Sequence, residues 1–259
     1  MTRSFPNWDG RDFPIPGNTT RFPNGGTPYS NATGDPNWDE VICLMGFEDG
    51  NGATPTDESD VSPALANITN ISNAAVSTGA AKFGGGALTL DGNLDMVEWD
   101  DHADFSFGSL DFTIEMWMSK SDLSSGVFMS KYASTVPQAE WYFSHTGVNL
   151  QFLFYYGTGA SSYQLITQSW AVNTNTWEHV AVDRVGHKFY LYHNGTMISS
   201  ATFTGRVLKD TTEPVRIGGR DHPTPLYHKG WIDELRVTRG TGRYGGVDFT
   251  PAIQPFKRF

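Results

Sequence analysis

Between residues 41 and 238 the chain is written in short apolar runs separated by turn residues. In DFTIEMWM (111–118), Phe112, Ile114, Met116 and Met118 fall on one side, with Thr113, Glu115 and Trp117 on the other. In KFYLYHNG (188–195), Phe189, Leu191 and His193 oppose Tyr190 and Tyr192. Alternation with period two predicts strands that bury one face. Similar runs are VICLMGF (41–47), ALTLDG (87–92), GVFMSKY (126–132), EWYFSH (140–145), VNLQFLFYY (148–156) and YQLITQ (163–168). WEHVAVDRV (177–185), TMISSATF (196–203), VRIGG (215–219) and WIDELRVT (231–238) complete the set. Turn residues punctuate them roughly every ten residues, the spacing of an all-β sandwich. Asn194-Gly195 stands between two such runs and predicts a tight hairpin. No long helical period occurs, and no apolar run approaches the length of a membrane-spanning helix.

The pattern stops at both ends. Residues 1–38 hold six Pro and five Gly, which disfavour helix and central strand alike. Yet Phe5, Trp8, Phe13, Ile15, Phe22, Tyr29 and Trp38 are spread along them. Purely solvating tails are poor in aromatics, so residues 1–40 read as an extended arm that is held by something. The four residues PNWD occur at 6–9 and again at 36–39. Two similar turns set against two similar surfaces, or chance recurrence of a short turn motif, both account for the repeat. Residues 241–259 are again rich in Gly and Pro, with Tyr244, Phe249, Phe256 and Phe259 as anchors of a C-terminal extended tail.

Composition sharpens this division. The chain of 259 residues carries a net charge of −10, while residues 1–38 contain three Arg and three Asp and sum to zero. The acidic excess therefore lies in residues 39–259, and it opposes nonspecific nucleic-acid binding and favours divalent cations and basic partners. The lone cysteine, Cys43, cannot form an intramolecular disulfide and reads as a small buried hydrophobe. The opening MTRSFPNWDG lacks the apolar run of a secretion signal, so no Sec-type export is expected.

Five segments, in order, carry a resemblance. GFEDGNGATPTDESD (46–60), AAKFGGGALTLDG (80–92), DFTIEMWM, NTWEHVAVDRVGHKFYLYHNGTMISS (175–200) and GWIDELRVTRGTGRYGGVDFTPA (230–252) resemble the recurring segments of laminin-G-like, concanavalin A-like jelly rolls. The last, with IDELRVT followed by RGTGRY and FTPA, is similar to versions found in bacteriophage virion proteins. The resemblance implies an all-β, two-sheet antiparallel jelly-roll sandwich over about 41–252; the arm has no counterpart in it.

Candidate chemistry is sparse. Glucanases of that superfamily place two or more carboxylates on one strand face, because retaining hydrolysis needs a nucleophile and an acid about 5 Å apart. Here Glu115 stands alone in its strand, and Glu98, Asp100, Asp101 and Asp104 cluster at loop-like spacing in VEWDDHAD. No catalytic residue is assigned, and no enzyme is expected. The resemblance implies a structural calcium held by an early loop and the last strand; the matching positions are Asp49, Asp57 and Asp233. Calcium wants six to eight oxygens, and the alternative is that these acids cap turns. For glycans the candidates are Tyr155, Tyr156, Tyr163 and Trp170, aromatic faces beside the small polar loop GTGASS (157–162); sheet packing is their other reading. Trp117 and Trp177 read as sheet-packing residues.

The expected function is a non-enzymatic structural protein of a bacteriophage virion, assembled in the host cytoplasm and displayed on capsid or tail. Its arm would bind other virion proteins through Phe5, Trp8, Phe13, Phe22 and Trp38, giving a homo-oligomer or assembly subunit that also adheres to cell-surface polysaccharide. No nucleic acid or membrane partner is expected. The alternative is a free carbohydrate-binding lectin module; a polysaccharide-cleaving enzyme is a weaker third.

Overall fold

The computed structural model describes residues 34–60, 65, 67–133, 138–220 and 226–258. Phe5, Trp8, Phe13 and Phe22 lie outside them, as does the first PNWD copy. Among the described residues there are fifteen strands: β1 (Val41–Met45), β2 (Thr69–Ile71), β3 (Ala75–Ser77), β4 (Ala87–Asp91), β5 (Met96–Trp99), β6 (Phe112–Lys120), β7 (Gly126–Lys131) and β8 (Trp141–Thr146), then β9 (Asn149–Tyr155), β10 (Tyr163–Ser169), β11 (Glu178–Val185), β12 (Lys188–His193), β13 (Thr196–Thr202), β14 (Val215–Ile217) and β15 (Lys229–Arg239). One sheet runs β13-β12-β11-β6-β15-β4-β3, with β1 also paired to β15; the other runs β10-β9-β8-β7-β14-β5-β2. All pairings between named strands are antiparallel. The two sheets form the expected jelly-roll sandwich.

Period-two alternation decides what lies between the sheets. Phe112, Ile114, Met116 and Met118 of β6 join Val180 and Val182 of β11, Phe189 and Leu191 of β12, and Phe143, Phe152 and Phe154 of the facing sheet in one core. Phe154 stacks on Phe189 across the sandwich, ring centroids 4.9 Å apart. Cys43 is fully buried in the same core, and burial pushes its thiol pKa well up.

The Asn194-Gly195 hairpin forms as its sequence dictates. Both residues take positive φ, +49° and +81°, which is the twist a two-residue turn needs. Gly195 has a second duty: a Cβ there would sit 1.9 Å from the carbonyl oxygen of Phe249, whose N–H donates to the Gly195 carbonyl at 2.8 Å. The hairpin tip is thus the docking point for the C-terminal segment.

Three strands depart from the sequence reading. β2, β3 and β5 are three or four residues long, too short to show a period. β5 takes Glu98 out of the loop expected for VEWDDHAD and places it in a sheet, opposite Arg216. The C-terminal segment is also more than a tail. It crosses the outer face of the first sheet, where Tyr244 and Phe249 stack on each other and pack against Tyr192, while Phe256 covers Val41 and Leu44. Consequently every residue of β6 is buried, on both faces. Trp38, expected to plug a partner's pocket, packs here on its own body beside Val41, Leu44 and Phe256, and its indole N–H donates to Asp60 Oδ2 at 2.6 Å.

Candidate functional site

On the second sheet, side chains that alternate outward gather into an aromatic patch. Tyr163 of β10 sits opposite Tyr155 of β9, and Leu165 opposite Leu153; Leu153 in turn faces Tyr142 of β8. Tyr132, just past β7, closes the group. Ring centroids are 5.6 Å apart for Tyr155–Tyr163, 6.2 Å for Tyr132–Tyr155 and 5.2 Å for Tyr132–Tyr142. The inner members are packed and the outer edge is open: Tyr132 and Tyr155 are each 7% exposed, Tyr163 41% and Leu165 39%.

The Arg220 guanidinium lies over this patch, 5.1 Å from the Tyr132 ring and 4.7 Å from that of Tyr142. Its Nε has no hydrogen-bond partner among the described residues. Burial pushes both phenols up, and Arg220 pulls each part of the way back. These hydroxyls therefore stay protonated near neutral pH, as donors and acceptors at the end of apolar rings.

The structure brings together two of the four sequence candidates, Tyr155 and Tyr163. It separates the other two. Trp170 is 7% exposed and belongs to the core between the sheets, with its ring 5.0 Å from His193. Tyr156, one residue beyond Tyr155, turns inward by alternation, packs on the same core and is capped by Arg206 at 4.0 Å. Neither offers a ring to a ligand on the patch. Tyr132, Tyr142 and Arg220 escaped the sequence reading because they lie on other strands. The signal for Tyr142 was available in EWYFSH, where Trp141 and Phe143 point in and Tyr142 therefore points out.

The outer face of the first sheet is organised differently. Glu115, expected to stand alone, accepts from Arg236 at 2.6 Å and from the Tyr244 hydroxyl at 2.5 Å, and lies 3.2 Å from His179 Nε2. Asp35 accepts from Arg236 and Arg243, each at 2.8 Å. Burial alone would raise the Glu115 pKa, but Arg236 and His179 outweigh it and hold it well below the usual carboxylate range. Asp35 is likewise held down against burial by Arg243 and Arg236. At one end of this face lies a groove of about 480 Å³, bounded by Lys82, Phe83, Trp117, Trp177, Asn194 and residues 250–253. Trp117 and Trp177 thus line a groove rather than simply packing a sheet.

The calcium candidates each close a separate turn. Asp49 accepts from the Thr56 N–H and hydroxyl. Asp57 accepts from the N–H groups of Leu44 and Ser59 and from the Ser59 hydroxyl. Asp233 accepts from the N–H groups of Lys82, Phe83 and Glu234, and burial lifts its pKa to about 6. Among the described residues no three His, Cys, Asp or Glu side chains gather as a metal set.

The VEWDDHAD acids are paired one by one. Glu98 binds Arg216 at 2.6 Å, Asp100 accepts from Asn67 at 2.5 Å, and Asp104 lies 3.5 Å from Arg239. Asp101 is 3.0 Å from the buried Lys131 ammonium, which also meets Glu140, the Ser106 hydroxyl and the Thr211 carbonyl at 2.6–2.8 Å. The cation in that oxygen cage is a lysine.

Comparison with known proteins agrees with this architecture. The family described as the concanavalin A-like lectin/glucanases superfamily matches residues 91–241. No curated protein matches the chain. Solved structures that resemble it include the binding domain of botulinum neurotoxin serotype G, at 11% identity and TM-score 0.57. Two structures of the binding domain of botulinum neurotoxin DC also match: in complex with SialylT, at 13% identity and TM-score 0.53, and in complex with rat synaptotagmin II, at 14% identity and TM-score 0.56. Each match covers 78% of this chain and 48% of the other, so the chain spans about half the length of these structures. At such identities the likeness is one of fold.

Proposed function

The chain belongs to the concanavalin A-like lectin/glucanases superfamily, and on that footing we propose that it is a non-enzymatic carbohydrate-binding jelly roll, serving as a structural subunit on the surface of a bacteriophage virion. The observation that carries the binding reading is the open tyrosine patch of the second sheet. A pyranose presents a flat face of C–H groups and a rim of hydroxyls. Tyr163 offers an exposed ring to the face, Leu165 extends the apolar shelf, and the phenols and Arg220 supply polar contacts to the rim. The matched binding domain of botulinum neurotoxin DC, solved in complex with SialylT and in complex with rat synaptotagmin II, favours a receptor-binding role for the fold.

The virion setting draws on the likeness of 230–252 to phage virion proteins and on the aromatic arm. Head or tail display, homo-oligomeric assembly and contacts with other virion proteins belong to this proposal. No step of hydrolysis is proposed, because each acid of VEWDDHAD is engaged by its own partner and Glu115 is locked by Arg236. The deciding experiment is a glycan array probed with the full chain and with Tyr163→Ala. Sugar binding by the wild type that falls at least about tenfold in the variant supports the reading. Binding by neither protein, or equal binding by both, removes the tyrosine patch as a glycan site.

A further inference from the structure

The groove on the first sheet carries a cation between aromatic walls. Strand pairing sets His179 of β11 opposite Trp117 of β6, and Trp177, two residues before His179, falls on the same face by alternation. Both indoles border the groove, with Lys82 and Phe83 contributed by the segment before β4. Lys82 Nζ lies 3.8 Å from the Trp117 ring centroid and 5.4 Å from that of Phe83. The ammonium thus covers the Trp117 face, and the half-buried Trp177 is the ring on which a ligand can lie.

Two polar groups of the groove are unengaged. Trp117 is 7% exposed, and its indole N–H has no partner among the described residues. A buried donor left unpaired carries a desolvation cost that an incoming acceptor removes. Among the described residues Lys82 forms no ion pair. Asp233 is the carboxylate that acts on this ammonium, but its oxygens accept from the backbone N–H groups of Lys82, Phe83 and Glu234.

One ammonium and one indole N–H beside an apolar ring call for a ligand with one carboxylate, further acceptors and a flat face. A uronic acid pyranose has all three on one rigid ring. Its carboxylate is equatorial, so a sugar lying on an indole presents it sideways to a neighbouring cation. A peptide needs several rotatable bonds to hold an aromatic ring and a carboxylate in that relation, and ordering them weakens binding. The groove's volume of about 480 Å³ falls in the range of small-ligand pockets, which suits a short stretch of sugar. The chain's net charge of −10 does not oppose a single carboxylate strongly, because exposed charges are screened beyond about 8 Å at physiological ionic strength.

We propose that this groove binds one uronic acid residue of an acidic polysaccharide. The sugar ring lies on Trp177, its carboxylate pairs with Lys82, and a sugar oxygen accepts from the Trp117 indole N–H. The site is on the opposite sheet from the tyrosine patch and stands whether or not that patch binds glycan.

The test is protection of the Lys82 amine in the full chain, read by mass spectrometry after timed labelling with an amine-acylating reagent. The probes are xylobiose carrying one glucuronic acid and its carboxyl-reduced counterpart, which differ only in the charged group. With the acidic sugar at about ten times its Kd, Lys82 is expected to react about tenfold more slowly while other lysines keep their rates. The reduced sugar leaves Lys82 unprotected. By calorimetry, Lys82→Gln weakens binding of the acidic sugar about tenfold, whereas Lys82→Arg stays within about threefold. The labelling of the wild type needs no variant to fold. Three results overturn the proposal: no protection by the acidic sugar up to about 10 mM, equal protection by both sugars, or protection by a peptide ending in a tryptophan carboxylate with none by the acidic sugar. The last would make the groove a protein-docking site.

Discussion

The two outer faces of this sandwich begin from the same kind of strand and end in opposite states. On the first sheet, residues that alternate outward are charged or aromatic and buried: Glu115, Asp183, Arg236 and Tyr192 are all at or below 1% exposure. Residues 244–256 and Asp35 close over them. On the second sheet, the outward residues of β10 remain exposed. A buried charge is tolerable only when paired, so the closed face had to be built as a network. The open face carries tyrosines, which tolerate both packing and water. Substitutions on the closed face should therefore be read in stability, and those on the open face in binding.

Glu115 gives the sharpest test of that division. Glu115→Ala leaves the fully buried Arg236 without the carboxylate that meets two of its nitrogens. Removing one partner of a buried pair costs about 3–5 kcal/mol, so a drop of that order in the free energy of urea unfolding is expected. A loss below about 1 kcal/mol would mean that the face is solvated and not closed. Phe249→Ala should follow at about 2 kcal/mol, since the ring is partly buried against Tyr244 and Tyr192.

Legibility followed the same boundary. The long strands were readable because alternation is a local signal, and Asn194-Gly195 named its turn outright. The cover on the first sheet was not readable, because Glu115 meets Arg236 and Tyr244 across more than 120 positions. Nothing near DFTIEMWM says that its outer face will be buried. The tyrosine patch was half readable: Tyr155 and Tyr163 flank one hairpin loop, whereas Tyr132 and Tyr142 arrive from neighbouring strands. Trp170 misled because an aromatic next to a polar loop looks the same whether it turns in or out. The acids at 49, 57 and 233 resemble calcium ligands by residue type, and the backbone N–H groups and the Thr56 and Ser59 hydroxyls that they accept from are partners no sequence displays.

Between the faces, the core carries a buried imidazole pair whose effect on stability depends on pH. His145 Nε2 and His228 Nδ1 are 3.0 Å apart. Burial, with Lys120 nearby, depresses the His228 pKa from 6.5 to about 3, and burial and His228 depress that of His145. A depressed folded-state value means that the unfolded chain binds the proton first. The stability is present above pH 6.5 and is lost as pH falls from there toward 3. Glu140 and Glu234 act in the opposite sense: burial raises both to about 7, so acidification from 7 toward 4.5 favours the folded state. His228→Gln removes one side of this opposition. Between pH 6.5 and 4.5 its stability should rise relative to wild type, by an amount on the order of 2 kcal/mol. Parallel stability curves for the two proteins would show that the pair is solvated.

The smallest expected effect on stability is the most informative about the open face. Tyr163 is 41% exposed, so Tyr163→Phe should change unfolding free energy by less than about 0.5 kcal/mol. Its effect on glycan affinity separates two physical roles. If the ring works by stacking, phenylalanine keeps the face and affinity stays within about threefold, whereas Tyr163→Ala loses tenfold or more. If the hydroxyl works by hydrogen bonding, phenylalanine loses nearly as much as alanine. The exposure favours stacking: Tyr163 is 41% exposed, and its ring lies 5.6 Å from that of Tyr155 with the planes tilted by 47°. Equal losses for Phe and Ala would move the recognition from the ring face to the phenol rim, and with it toward Arg220 and Tyr142.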